Sequence, residues 1–134
     1  MIQEAYVSFE VAKLLKEKGF EEETYGNYYL GGKFDGEFEE SSKVNWNKFF
    51  KTPIAAPTQQ LACEWLRQNY NLSVEVYRTA YGWIGCIVAI PSGTDIKFIE
   101  DEGDDPASGA YTTHHKACEA TIKYCLENLI NYGK

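Results

Sequence analysis

The sequence predicts an α+β fold: one globular domain over residues 1–134, with an antiparallel sheet and about three helices in the order α-β-β-α-β-β-β-α. The sheet is expected to combine an N-terminal hairpin with a three-stranded meander. Two observations carry this reading. Apolar residues recur at helical spacing in three separated stretches, and the segments between them are of strand length and bounded by Gly or Pro turns. A hydrophobic content of 44% in 134 residues suits one core.

Ser8 suits an N-cap, because its hydroxyl can accept from a free N–H of the first turn; Val11, Ala12, Leu14 and Leu15 then form an apolar stripe. Gly19 ends this helix, predicted over residues 9–18, and lets Phe20 fold back on Leu15 while Lys16 and Lys18 complement the dipole. Residues 25–40 read as a hairpin in which Tyr28, Tyr29, Leu30, Phe34 and Phe38 surround two alternative turns, Gly31-Gly32 and Asp35-Gly36. Residues 41–56 carry Val44, Trp46, Phe49, Phe50 and Ile54, too aromatic for a disordered linker, and are expected to form a long packed connection.

Pro57 suits the first turn of a second helix with Leu61, Ala62, Trp65 and Leu66 on its buried stripe, ending near Asn69 to Asn71. Leu72, Val74 and Val76 alternate with polar residues as a strand, and Tyr81-Gly82 is the expected turn. The next strand, Trp83 to Ile90, is apolar on both faces and therefore central, with Trp83, Ile87 and Ala89 assigned to the face away from the helices and Gly85 leaving a gap. After a Pro91-Ser92-Gly93 turn, Ile96 and Phe98 mark a third strand. Thr112 or Thr113 caps a last helix with a stripe of Cys118, Ile122, Cys125, Leu126 and Leu129.

No stretch approaches the roughly 20 apolar residues of a spanning helix, and Met1-Ile2-Gln3-Glu4-Ala5-Tyr6 has neither a basic nor a long apolar leader, so a cytoplasmic, non-membrane protein is expected. A formal charge of −7 repels phosphate backbones, which argues against direct nucleic-acid binding. Cys63, Cys86, Cys118 and Cys125 fall in apolar runs without C-x-x-C spacing, the pattern of buried free thiols rather than of zinc ligands or a disulfide scaffold.

No catalytic, cofactor-binding or metal-ligating set emerges. His114-His115 draws attention, but adjacent helical residues point about 100° apart and the helix start disfavours imidazolium, so these are expected to be exposed or first-turn packing residues. Cys118 is within helical reach of them but lies on the buried stripe. Glu100 to Asp105 offers oxygen ligands for calcium but lacks the EF-hand order, and reads as a surface loop. Phosphate-loop, dinucleotide, zinc-protease and esterase signatures are absent. Tyr25, Tyr28, Tyr29, Tyr77 and Tyr81 fall in the hairpin and meander, where an aromatic patch would suit a protein interface; Tyr77, Tyr81 and Trp83 are the candidate contact residues.

The stretches Tyr6 to Phe20, Ala56 to Ala62, Glu64 to Arg67 and Ala120 to Leu126 resemble small uncharacterised proteins of gut bacteria and their prophages. The matching residues are helix caps, stripes and turns, so the resemblance implies a fold and a mobile-element origin and no particular activity. Such relatives often carry Pro and Glu after the last cap, where this chain has His114 and Lys116. The expected function is a non-enzymatic protein-interaction module of a prophage or mobile element, without cofactor, binding a protein partner or a second copy of itself. The alternatives are an acidic decoy that inhibits a nucleic-acid-binding protein, and a small enzyme using His114 or His115.

Overall fold

The computed structural model describes residues 4–29, 31–36, 42–100, 103 and 107–130. Its architecture is α+β, with two three-stranded antiparallel sheets. The chain divides into two compact units, residues 1–62 and 63–134.

In the first unit, α1 (Phe9–Glu17) starts at Ser8, whose Oγ accepts from Val11 N at 3.2 Å. It ends as the sequence implies: Gly19 takes φ 95°, Phe20 N donates to Leu15 O at 2.9 Å and Gly19 N to Lys16 O at 3.1 Å. This paired closure satisfies carbonyls of the last turn and buries Phe20 with Val11, Ala12 and Leu15. The hairpin of β1 (Gly26–Tyr28) and β2 (Phe34–Asp35) turns through Gly31-Gly32, both at positive φ, with Tyr28 opposite Phe34. That decides between the two candidate turns; Leu30 and Phe38 lie outside the described residues.

The connection over 41–56 is more than a packed loop. It holds a short helix, α2 (Trp46–Phe49), and a strand, β3 (Ile54–Ala56), that pairs with β1 to give the sheet order β2-β1-β3. Three residues are too few to show alternation, which is why the sequence pattern hides this strand. Gly26 permits the pairing, because a Cβ there would lie 2.9 Å from Ala56 O. Asn47 braces the segment: its Nδ2 donates to Phe20 O and its Oδ1 accepts from Ala55 N, both at 2.9 Å.

Helix α3 (Gln59–Tyr70) begins two residues after Pro57, with Thr58 Oγ1 accepting from Leu61 N, so Thr58 rather than Pro57 opens it. Asn71 ends it in the left-handed region at φ 57° and feeds directly into β4 (Leu72–Thr79). In the second unit β4, β5 (Gly82–Ala89) and β6 (Asp95–Ile99) form a meander in that order. Thr79 pairs with Gly82, so the turn residues are Ala80-Tyr81 and Gly82 already belongs to β5. Helix α4 (His114–Tyr124), capped by Thr113, continues into a π-helical turn (Cys125–Leu129).

The assignment of faces corrects the sequence reading. A Cβ on Gly85 would come within 1.8 Å of Thr121 Oγ1 in α4, so Gly85 and its alternate neighbours Trp83, Ile87 and Ala89 face α4 rather than away from it. Leu72, Val74, Val76 and Arg78 share that face through the β4 register, as do Lys97 and Ile99 through β6. α4 packs against this face, and its Ala117, Cys118, Thr121 and Ile122 are buried, as are Cys125 and Leu126 of the turn that follows.

Candidate functional site

Large apolar side chains stay exposed at several places, Phe49 and Phe50 of the first unit among them, and three of them gather on the opposite face of the second sheet. Register places Ser73, Glu75, Tyr77 and Thr79 of β4 beside Ile84, Cys86 and Val88 of β5, with Phe98 opposite Cys86. Tyr77 pairs with Ile84, so Tyr77 and Phe98 flank the buried Ile84–Cys86 row from the two edge strands. A register shift between Ile87 and Val88 leaves Ile96 as the extra residue of a bulge in β6. Tyr77, Ile96 and Phe98 each keep 42% of their surface exposed.

The charge on this face has one sign. Glu75 stands opposite Cys86, and Cys86 Sγ approaches Asp95 Oδ1 at 3.7 Å. Partial burial raises the Tyr77 phenol above its ordinary pKa, and Cys86, Glu100 and Asp95 add to the effect. Burial, reinforced by Asp95, pushes the Cys86 thiol up to about 11. The cations of these strands lie on the other side: Arg78 stacks over Trp83 and Lys97 over Tyr124 of α4.

The three residues expected to make contact are therefore not on one face. Tyr77 is on the open face, and Tyr81 sits in the β4–β5 turn, 75% exposed. Trp83 lies on the α4 side, half-buried, edge-on to His114 at 5.1 Å between ring centroids. The five tyrosines expected in one patch divide between the two sheets: Tyr28 packs between Phe9 and Phe34 and donates to Val7 O, whereas Tyr77 belongs to the meander. Phe98 and Ile96 complete the open face, and their alternation with Lys97 signals both; the bulge, which shifts the pairing of Asp95, has no marker in the sequence.

His114 and His115 occupy the first turn of α4, both exposed, as the residue types and position imply. All four cysteines are free and buried, and Cys118 has Cys63 as its sulfur neighbour at 3.8 Å. Among the described residues, no group of three or more His, Cys, Asp or Glu is placed to hold a metal ion. Asp101, Glu102, Asp104 and Asp105 of the acidic stretch lie outside the described residues. No helix among the described residues is long and apolar enough to cross a membrane. No protein-family model, curated protein or solved structure matches the chain.

Proposed function

We propose that this chain is a non-enzymatic protein-interaction module that receives its partner on the open face of the β4-β5-β6 sheet. The observation that carries the reading is the exposure of Tyr77, Ile96 and Phe98 on one side of a sheet whose other side is covered by α4. Aromatic anchors around a buried aliphatic row bring large contact area at low entropic cost. Glu75, Asp95 and Glu100 beside them favour a partner that combines apolar side chains with Lys or Arg. A prophage or mobile-element origin belongs to the same proposal and rests on the resemblance of the helix caps and stripes.

A second reading, an acidic decoy that blocks a nucleic-acid-binding protein, is favoured by the same carboxylates and by the net charge of −7. Salt separates the two, because ion pairing at a wet rim is screened and apolar burial is not. The test is capture from a host lysate on tagged protein beside a Tyr77→Asp variant, with low-salt and high-salt washes and identification by mass spectrometry. The module predicts a protein held through high salt by the wild type and missing from the variant. A nucleic-acid-binding protein lost at high salt would support the decoy. Equal capture by both proteins would contradict docking on this face.

A further inference from the structure

Cys63 and Cys118 stand apart from the other thiols. They approach from two different helices, α3 and α4, to 3.8 Å between sulfurs, although they lie 55 positions apart in the chain. A disulfide needs about 2.05 Å, so side-chain rotation has to close about 1.8 Å. Exposure does not set the pair apart, since Cys63 keeps 8% and Cys118 6% against 5% for Cys86 and 0% for Cys125; the sulfur–sulfur approach does. We infer that Cys63 and Cys118 form a redox pair, oxidised by peroxide to a reversible disulfide that fastens α3 to α4.

The two sulfurs have different environments. The Cys118 thiol can donate to Cys63, and Arg67, one helical turn further along α3, attracts a thiolate there; together these lower the Cys63 pKa against the effects of burial and of Glu75. Cys118 moves the other way, raised chiefly by Cys63 and by burial. Arg67, one helical turn from Cys63 on the same helix, is the asymmetry by which we assign Cys63 as the attacking sulfur and Cys118 as the resolving one. The Cys63 thiolate attacks one peroxide oxygen and the O–O bond breaks, giving a sulfenic acid and hydroxide, which takes up the proton released by Cys63. The Cys118 sulfur then attacks the Cys63 sulfur; the S–O bond breaks, and the leaving hydroxide takes the Cys118 proton. Two thiols and one hydrogen peroxide become one disulfide and two waters.

Cys86 and Cys125 serve as internal controls. Cys86 lies on the open sheet face beside Asp95, and burial pushes the Cys125 thiol up to about 12, so neither has thiolate character near neutral pH. The test is hydrogen peroxide added to the full native chain, followed by intact mass measurement and peptide mapping without reduction. The expected result is the loss of two hydrogens, one cross-link joining Cys63 to Cys118, free Cys86 and Cys125, and full reversal by dithiothreitol. In a Cys118→Ser variant, dimedone should label Cys63 as its sulfenic acid. Unchanged thiols, oxygen addition without a cross-link, or a cross-link through Cys86 or Cys125 would overturn the pair, and the wild-type map decides this even where the variant fails to fold.

Discussion

Gly85 in β5 lies so close under Thr121 in α4 that a Cβ at Gly85 would stand 1.8 Å from Thr121 Oγ1 and 3.1 Å from its Cβ. Thr121 has no way out, because it is fully buried and its hydroxyl donates back to Ala117 O at 2.7 Å. The gap that Gly85 leaves in an apolar strand is thus the seat of the helix. Gly85→Ala should cost about 2 kcal/mol by overpacking, read as a lower urea midpoint. In a Thr121→Ala background the same substitution should cost less, since the shortest contact is gone. An equal cost in both backgrounds would contradict the seating of α4 on this face.

The closure of α1 is open to a similar test with a different cause. At Gly19 nothing lies within 4 Å of an added Cβ, yet φ is 95°. Gly19→Ala should therefore cost roughly 1–2 kcal/mol from backbone conformation alone. No substitution elsewhere should relieve that loss, which denaturant titration of paired variants would establish.

Alkaline pH should weaken the fold through its buried thiols. Cys125 is held up to about 12, whereas the unfolded thiol titrates near 9.0. Below pH 9 both states are protonated and the stability is fully present. Above it the unfolded chain releases the proton first, so stability falls between about pH 9 and 12, by at most ~4 kcal/mol for this group. Urea midpoints measured from pH 7 to 11 should fall at the alkaline end, and less steeply in Cys125→Ala. Identical slopes would show that Cys125 does not contribute.

The start of α4 separates structure from chemistry. Thr113 Oγ1 accepts from Lys116 N at 3.2 Å, and Thr113→Ala should cost about 1 kcal/mol. Replacing His114 and His115 together by Ala should remove the edge contact with Trp83 while leaving partner capture unchanged. Loss of capture in that double variant, with the fold intact by circular dichroism, would return the His pair to the functional site.

Local signals made much of this fold legible in the sequence. The Ser8 cap and the Gly19–Phe20 closure depend on a few neighbouring residues and form as their residue types dictate, while the Gly31-Gly32 turn and the Thr113 cap are each one of two alternatives that the sequence offers. What escaped depends on partners distant in the chain. Ile54–Ala56 becomes a strand only because β1 offers an edge that Gly26 lets it approach, and no periodicity in three residues announces it.

The site shows the same division. Alternation correctly splits β5 into two apolar faces, but which face the helix takes is decided by the small residue opposite Thr121, a contact 36 positions away in the chain. Alternation puts Trp83 with Ile87 and Ala89 but leaves open which of the two faces meets the helix. Trp83 in fact lies half-buried on the α4 side, between Arg78 and His114. The bulge in β6 arises from its pairing with β5 and has no trace in either strand alone.

On the proposed function, Tyr77 and Phe98 anchor the partner on the open sheet face. The most direct measurement compares the affinity of a captured partner for the wild type, for Tyr77→Asp combined with Phe98→Asp, and for Lys116→Ala on the exposed start of α4, with thermal melts confirming that all three are folded. The double variant should lose at least tenfold in affinity, about 1.4 kcal/mol, while Lys116→Ala binds as the wild type does. A double variant that is folded and binds with wild-type affinity would contradict it.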